Sequence, residues 1–137
     1  RFGRWHQILQ RAVPQNPLLV VARATAHYAR GMAHAALGHI KDAEEEEKLF
    51  DKSLTNPEIQ GYQKRNLHNN MAYDPDRECG MLNVARQMLR GELLYRKGQF
   101  SAAFEHLRRA VELDDGLKVW DLYTDKRRDR LCACVLV

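Results

Sequence analysis

Six histidines, three cysteines and a run of four glutamates are the side chains in this 137-residue sequence whose chemistry has to be weighed first. His27 and His34 stand seven apart and would share a helix face about 10 Å apart along its axis, too far for two ligands of one ion without a third group between them. His34 and His39 straddle a glycine and Cys79 lies in a distant segment, so no tetrahedral spacing emerges and the expectation is no metal. Cys132 and Cys134 would point about 200° apart on a helix, which does not suit a disulfide. With Cys79 they make an odd number without framework spacing, as packing thiols in a reducing compartment do. Glu44 to Glu47 could in principle do acid and base work, but nothing nearby supplies a pocket or a nucleophile. The favoured account of the run is a solvated outer helix face, with Glu44 able to pair with Lys48. Lys126-Arg127-Arg128 and Arg130, after Trp120 and Tyr123, form a short basic cluster of a kind that can contact RNA.

The net charge of +4 is dipolar rather than spread. Residues 1–40 carry Arg1, Arg4, Arg11, Arg23 and Arg30 and no acid, whereas residues 41–60 set three lysines against seven acids. That is not the continuous basic stripe of a nucleic-acid binder. Hydrophobic residues at 45% with 29% charged residues are those of a soluble globular protein, and no apolar run nears the roughly 18 residues that span a bilayer. No signal sequence precedes the first helical pattern, so the expectation is a fragment without a targeting segment, placed in the cytoplasm; separately, no cofactor and no catalytic centre are expected.

The elements that would position these residues are helices, and they repeat. Over Gly98 to Asp115, apolar residues recur at Phe100, Ala103, Phe104, Leu107, Ala110, Val111 and Leu113, close to the helical period. Small Ala103 and Ala110 let a neighbouring helix approach, with Phe100, Phe104 and Leu107 filling the space beside them. Moving back 60 residues lays Arg90 over Arg30, Gly91 over Gly31, Gly98 over Gly38, Phe100 over Ile40 and Ala103 over Ala43. Each copy reads as helix, glycine turn, helix, and the whole as an all-α solenoid of antiparallel helix pairs in one domain over 1–137. Gly3-Arg4-Trp5 with Ile8, Leu9, Ala12 and Val13, ended by Pro14, gives a half repeat over 3–13. Helix pairs follow over 21–54 and 74–115, the second started by Asp74-Pro75 as acidic cap and first-turn proline. Turn formers Asn56-Pro57, Gly61 and Asn69-Asn70 make 55–73 an insertion, 116–124 is a shorter one, and 125–137 starts a further repeat.

Gly91, Leu94, Gly98, Phe100, Ala103, Leu107 and Ala110, followed by Glu112-Leu113-Asp114-Asp115, stand in the order small, large, glycine turn, aromatic and alanine. In this the chain resembles the tetratricopeptide-repeat family; more narrowly, Phe2-Gly3-Arg4-Trp5, His27-Tyr28-Ala29-Arg30-Gly31 and Leu107-Arg108-Arg109-Ala110-Val111-Glu112-Leu113-Asp114-Asp115 resemble a largely uncharacterised group of it with irregularly spaced repeats. The copy over Tyr28 to Ala43 departs from the pattern at Glu47 and Phe50, Asp115 stands where the family has a proline, and spacings of 35 and 60 replace the regular 34. The resemblance implies a protein-binding scaffold and transfers no catalytic residue.

The first helices of such a stack line a concave groove, and the alignment puts Thr25, Tyr28, Met32, Ala35, Met88, Glu92, Tyr95 and Arg96 on that side. Tyrosines and methionines with a few charges suit capture of a peptide or helix, although Tyr28 and Met88 would also serve simply to pack one helix on the next. The lysine, arginine and asparagine cluster that grips chaperone tails in some family members is disfavoured: Lys126 and Arg130 could fill two of its places, but Tyr28 and Met32 occupy two others. The expected partner is a protein or peptide, with no nucleic acid and no membrane. Self-association through the apolar stretch Leu131 to Val137 is a further expectation, and an accessory segment of a larger enzyme is the alternative reading.

Overall fold

The computed structural model describes residues 3–61 and 80–117, and every regular element there is an α-helix. They are α1 (Trp5–Gln10), α2 (Val20–Ala36), α3 (Ile40–Leu54), α4 (Pro57–Gly61), α5 (Met81–Arg96) and α6 (Phe100–Asp115). None of the described helices is long and apolar enough to cross a membrane. Helix α2 packs along α3, α5 packs along α6, α2 and α5 lie against each other, and α1 packs against α2.

Two turns built alike reverse the chain. After α2 the Gly38 amide donates to the Ala35 carbonyl at 3.1 Å and the His39 amide to the His34 carbonyl at 2.9 Å. After α5 the Gly98 amide donates to Tyr95 at 3.0 Å and the Gln99 amide to Leu94 at 2.9 Å, the same pair of bonds 60 residues on. This arrangement satisfies the last helical carbonyls when the residue past the cap is left-handed, and Gly38 and Gly98 have φ of +82° and +77°. Gly31 and Gly91 are small for a different reason. A Cβ on Gly91 would lie 2.6 Å from Leu107 Cγ, and one on Gly31 would lie 3.0 Å from a Leu89 methyl.

Across each reversal the same positions meet. His27 Nδ1 lies 2.7 Å from Glu46 Oε2, and His106 Nδ1 lies 2.6 Å from Gln87 Oε1. Gln87 follows His27, and His106 follows Glu46, by 60 residues, so the pair recurs with its histidine on the other helix. The main core gathers Val20, Ala24 and Ala35 of α2, Ala43, Phe50 and Leu54 of α3, Ile59 of α4, and Leu82, Leu89 and Leu93 of α5. Ala103, Ala110 and Leu113 form the buried edge of α6.

Several expectations change. The apolar run after Trp5 stops being helical at Gln10, with Arg11 extended, and α1 buries no residue fully. Arg23 holds the connector that follows, donating to the carbonyls of Pro14, Gln15 and Asn16 at 3.1, 3.2 and 3.1 Å. Asn56-Pro57 starts a helix rather than a loop: the Asn56 side chain accepts from the Glu58 amide at 2.9 Å, proline needs no donor in a first turn, and Ile59 is buried in the core. Helix α5 begins at Met81 behind Gly80, whose φ of +104° interrupts any helix running in from Asp74-Pro75. Phe100 and Phe104 are 52% and 47% exposed, because α6 meets only α5 among the described helices and turns their face outward. Asp74-Pro75 itself, residues 62–73 of the insertion, residues 118–124, the further repeat over 125–137, the basic cluster with Trp120 and Tyr123, and all three cysteines lie outside the described residues.

Candidate functional site

The expected groove residues fall on α2 and α5. Tyr28 sits between the two: its ring is 6.2 Å from that of Phe50, and its hydroxyl lies 3.7 Å from Met88 Sδ. Burial pushes the Tyr28 phenol above its ordinary 10.0. Tyr28 and Met88 are equivalent positions of the repeat, so the first helices of the two copies touch at matching places. Met32 packs against the core, whereas exposed Thr25 donates its hydroxyl to the Val21 carbonyl of its own helix at 2.9 Å. Glu92 pairs with Arg96 at 2.7 Å one turn later. Tyr95, 43% exposed, stacks edge-on to Phe100 and Phe104 across the Gly98 turn, with centroids 5.3 and 6.3 Å apart. On α6 a shallow groove of about 440 Å³ continues from Phe104 over Leu107 and Val111, with Arg108 at its edge.

The glutamate run is not a solvated face. Glu46 is buried and takes His27 at 2.7 Å and the Arg30 guanidinium at 2.6 Å, while Arg30 also donates to the Leu9 carbonyl at 3.0 Å. Glu47 accepts from Arg90 Nε at 3.0 Å, Asp51 accepts from Arg90 Nη2 at 2.8 Å and from Arg86 at 2.9 Å, and Lys97 reaches Glu44 at 2.5 Å. The hydrogen bond from Lys97, and then its charge, hold the Glu44 carboxyl below its ordinary 4.5. Glu45 alone of the four points outward. The signal was in the spacing: Glu44, Glu47 and Asp51 form an i, i+3, i+7 stripe, and Arg86, Arg90 and Lys97 form a basic stripe at i, i+4, i+11. Such a seam ties α3 to α5 and sets their register; it contains no nucleophile.

The histidines separate in the same way. His27 belongs to Glu46, whereas His34 and His39, held apart by the linear reading, come together across the turn with ring centroids 5.8 Å apart and Asp42 beside them. Helical periodicity does not carry across a reversal, which is why their spacing concealed this.

Compared with known proteins, the chain matches no family model, no curated protein and no solved structure.

Proposed function

We propose that this chain is a tetratricopeptide-like solenoid of antiparallel helix pairs that holds a peptide or helix of another protein along its first helices. The observation that carries this reading is the contact of Tyr28 with its equivalent Met88, which sets α2 and α5 side by side. Met88 and Tyr95 remain 37% and 43% exposed on the second of those helices, seven residues apart and so on one face of it. Large, rigid or polarizable apolar groups flanked by an ion pair, here Glu92 and Arg96, are the usual anchors of an interface. Ser53 and His27 both line a groove between α2 and α3, but the Ser53 hydroxyl donates to the Leu49 carbonyl at 2.8 Å and His27 Nδ1 lies 2.7 Å from Glu46, so both are engaged within the fold.

A displayed peptide library panned against the full 137-residue chain tests it. Selected peptides should bind, and Met88→Ala with Tyr95→Ala should weaken them at least about tenfold while circular dichroism stays unchanged. Peptides that bind the double variant as well as the parent would remove the assignment of this face.

A further inference from the structure

His34, His39 and Asp42 each present one ligand atom, and these atoms lie within 4.8 Å of one another. His34 lies in the last turn of α2, His39 is the residue just before α3 and Asp42 lies in the first turn of α3, so the Gly38 reversal is what assembles them. The bond from the His39 amide to the His34 carbonyl fixes the two backbones 2.9 Å apart. The His34 side chain is only 15% exposed and its Nδ1 is buried with no hydrogen-bond partner, 3.8 Å from Asp42 Oδ2 and beyond hydrogen-bonding reach. His39 and Asp42 are exposed, so they can swing the remaining ångström or so while His34 stays put.

We infer that this turn is a binding site for a divalent late transition metal such as Zn²⁺, held by His34, His39 and Asp42 with one position left to solvent. Two imidazoles and one carboxylate are a donor set of the right type for such an ion, and closing from their present separations to a coordination shell needs only side-chain rotation on the exposed members. The repeat supplies an internal comparison. The second copy has Leu94, Gln99 and Ala102 at the equivalent places and makes the same turn with the same two backbone bonds. The fold therefore does not need the histidines and the aspartate to build its reversal, and their convergence on a buried, unpartnered nitrogen in one copy alone calls for a ligand.

Titration of the reduced 137-residue chain with Co²⁺ and Zn²⁺ tests this. Expected are one ion per chain, cobalt bands of nitrogen and oxygen ligation without a thiolate charge-transfer band, and displacement by Zn²⁺. His39→Ala and Asp42→Ala, both at exposed positions, should fold normally and weaken binding by at least about 100-fold, more than is typical for residues behind a metal's ligands. Leu94→His, Gln99→His and Ala102→Asp together should raise the count to two ions. No binding, a thiolate band, an affinity unchanged in His39→Ala and Asp42→Ala, or a folded grafted chain that still takes one ion would each overturn the assignment.

Discussion

Arg30 and Arg90 hold the same place in two copies of one frame, and each reaches back to a helix earlier in the chain than its own pair: Arg30 to the Leu9 carbonyl of α1 at 3.0 Å, Arg90 to Glu47 of α3 at 3.0 Å. The small glycine after each arginine lets its helix lie close, and the guanidinium then ties that helix to its neighbour. Arg90 also takes Asp51 at 2.8 Å, so one side chain spans two carboxylates a turn apart.

Replacing Arg90 by Ala should destabilise the chain by about 1 to 2 kcal/mol, since the pairs are roughly one-third exposed and screened but doubly hydrogen-bonded. The loss should shrink in 1 M salt, where charges of this exposure are weakened already. Urea unfolding at two salt concentrations measures both; a salt-independent loss would mean that the arginine acts through its packed stem instead.

Glu45 and Glu46 are neighbours with opposite fates. Glu46→Ala should cost about 2 to 3 kcal/mol, because it strips His27 and Arg30 of their shared carboxylate in a buried place. Exposed Glu45→Ala should stay within about 0.5 kcal/mol. Equal melting points for the two variants would contradict the buried pairing.

Glycine to alanine substitutions should separate space from conformation. Gly91→Ala drives a methyl into Leu107 Cγ and to 3.2 Å from the Ala103 carbonyl, and should cost about 1 to 2 kcal/mol even after the gain in helix propensity. Gly31→Ala meets the buried Leu89 methyls at 3.0 and 3.2 Å and the Glu46 Cβ at 3.5 Å, a milder crowding, and should cost less than Gly91→Ala. Gly98→Ala touches nothing, yet its φ of +77° should cost about 1 to 2 kcal/mol. Ala103→Phe, at a fully buried site on the same contact, should overpack by about 1 to 3 kcal/mol. Thermal melts of the four variants give the order directly.

A pH titration reads the Glu44–Lys97 pair. The folded carboxyl titrates below the ordinary 4.5, so its contribution is present above that value and is lost as pH falls through the lower folded value. Carbon-detected NMR should place the Glu44 midpoint below 4.5 in the parent and bring it back up in Lys97→Met. An unmoved midpoint in that variant would assign the shift to Lys48 and Lys41 instead.

Local order in the chain determined its helical class, its 60-residue period and the two turns. A glycine past a helix end and small residues facing a neighbour are constraints that act within a few residues, so Gly38, Gly98, Gly31 and Gly91 could be read directly. Asn56-Pro57 was ambiguous for the same reason, since the residues that make a turn also start a helix. What only the tertiary structure decided was which polar groups meet. Glu44, Glu47 and Asp51 look solvated until α5 brings its basic stripe alongside, and His34, His39 and Asp42 look scattered until the chain reverses. Those encounters depend on the rotation and rise of one helix against another, set by side chains such as Phe50 and Leu89 at the packed interface, and no periodicity within a single helix encodes them.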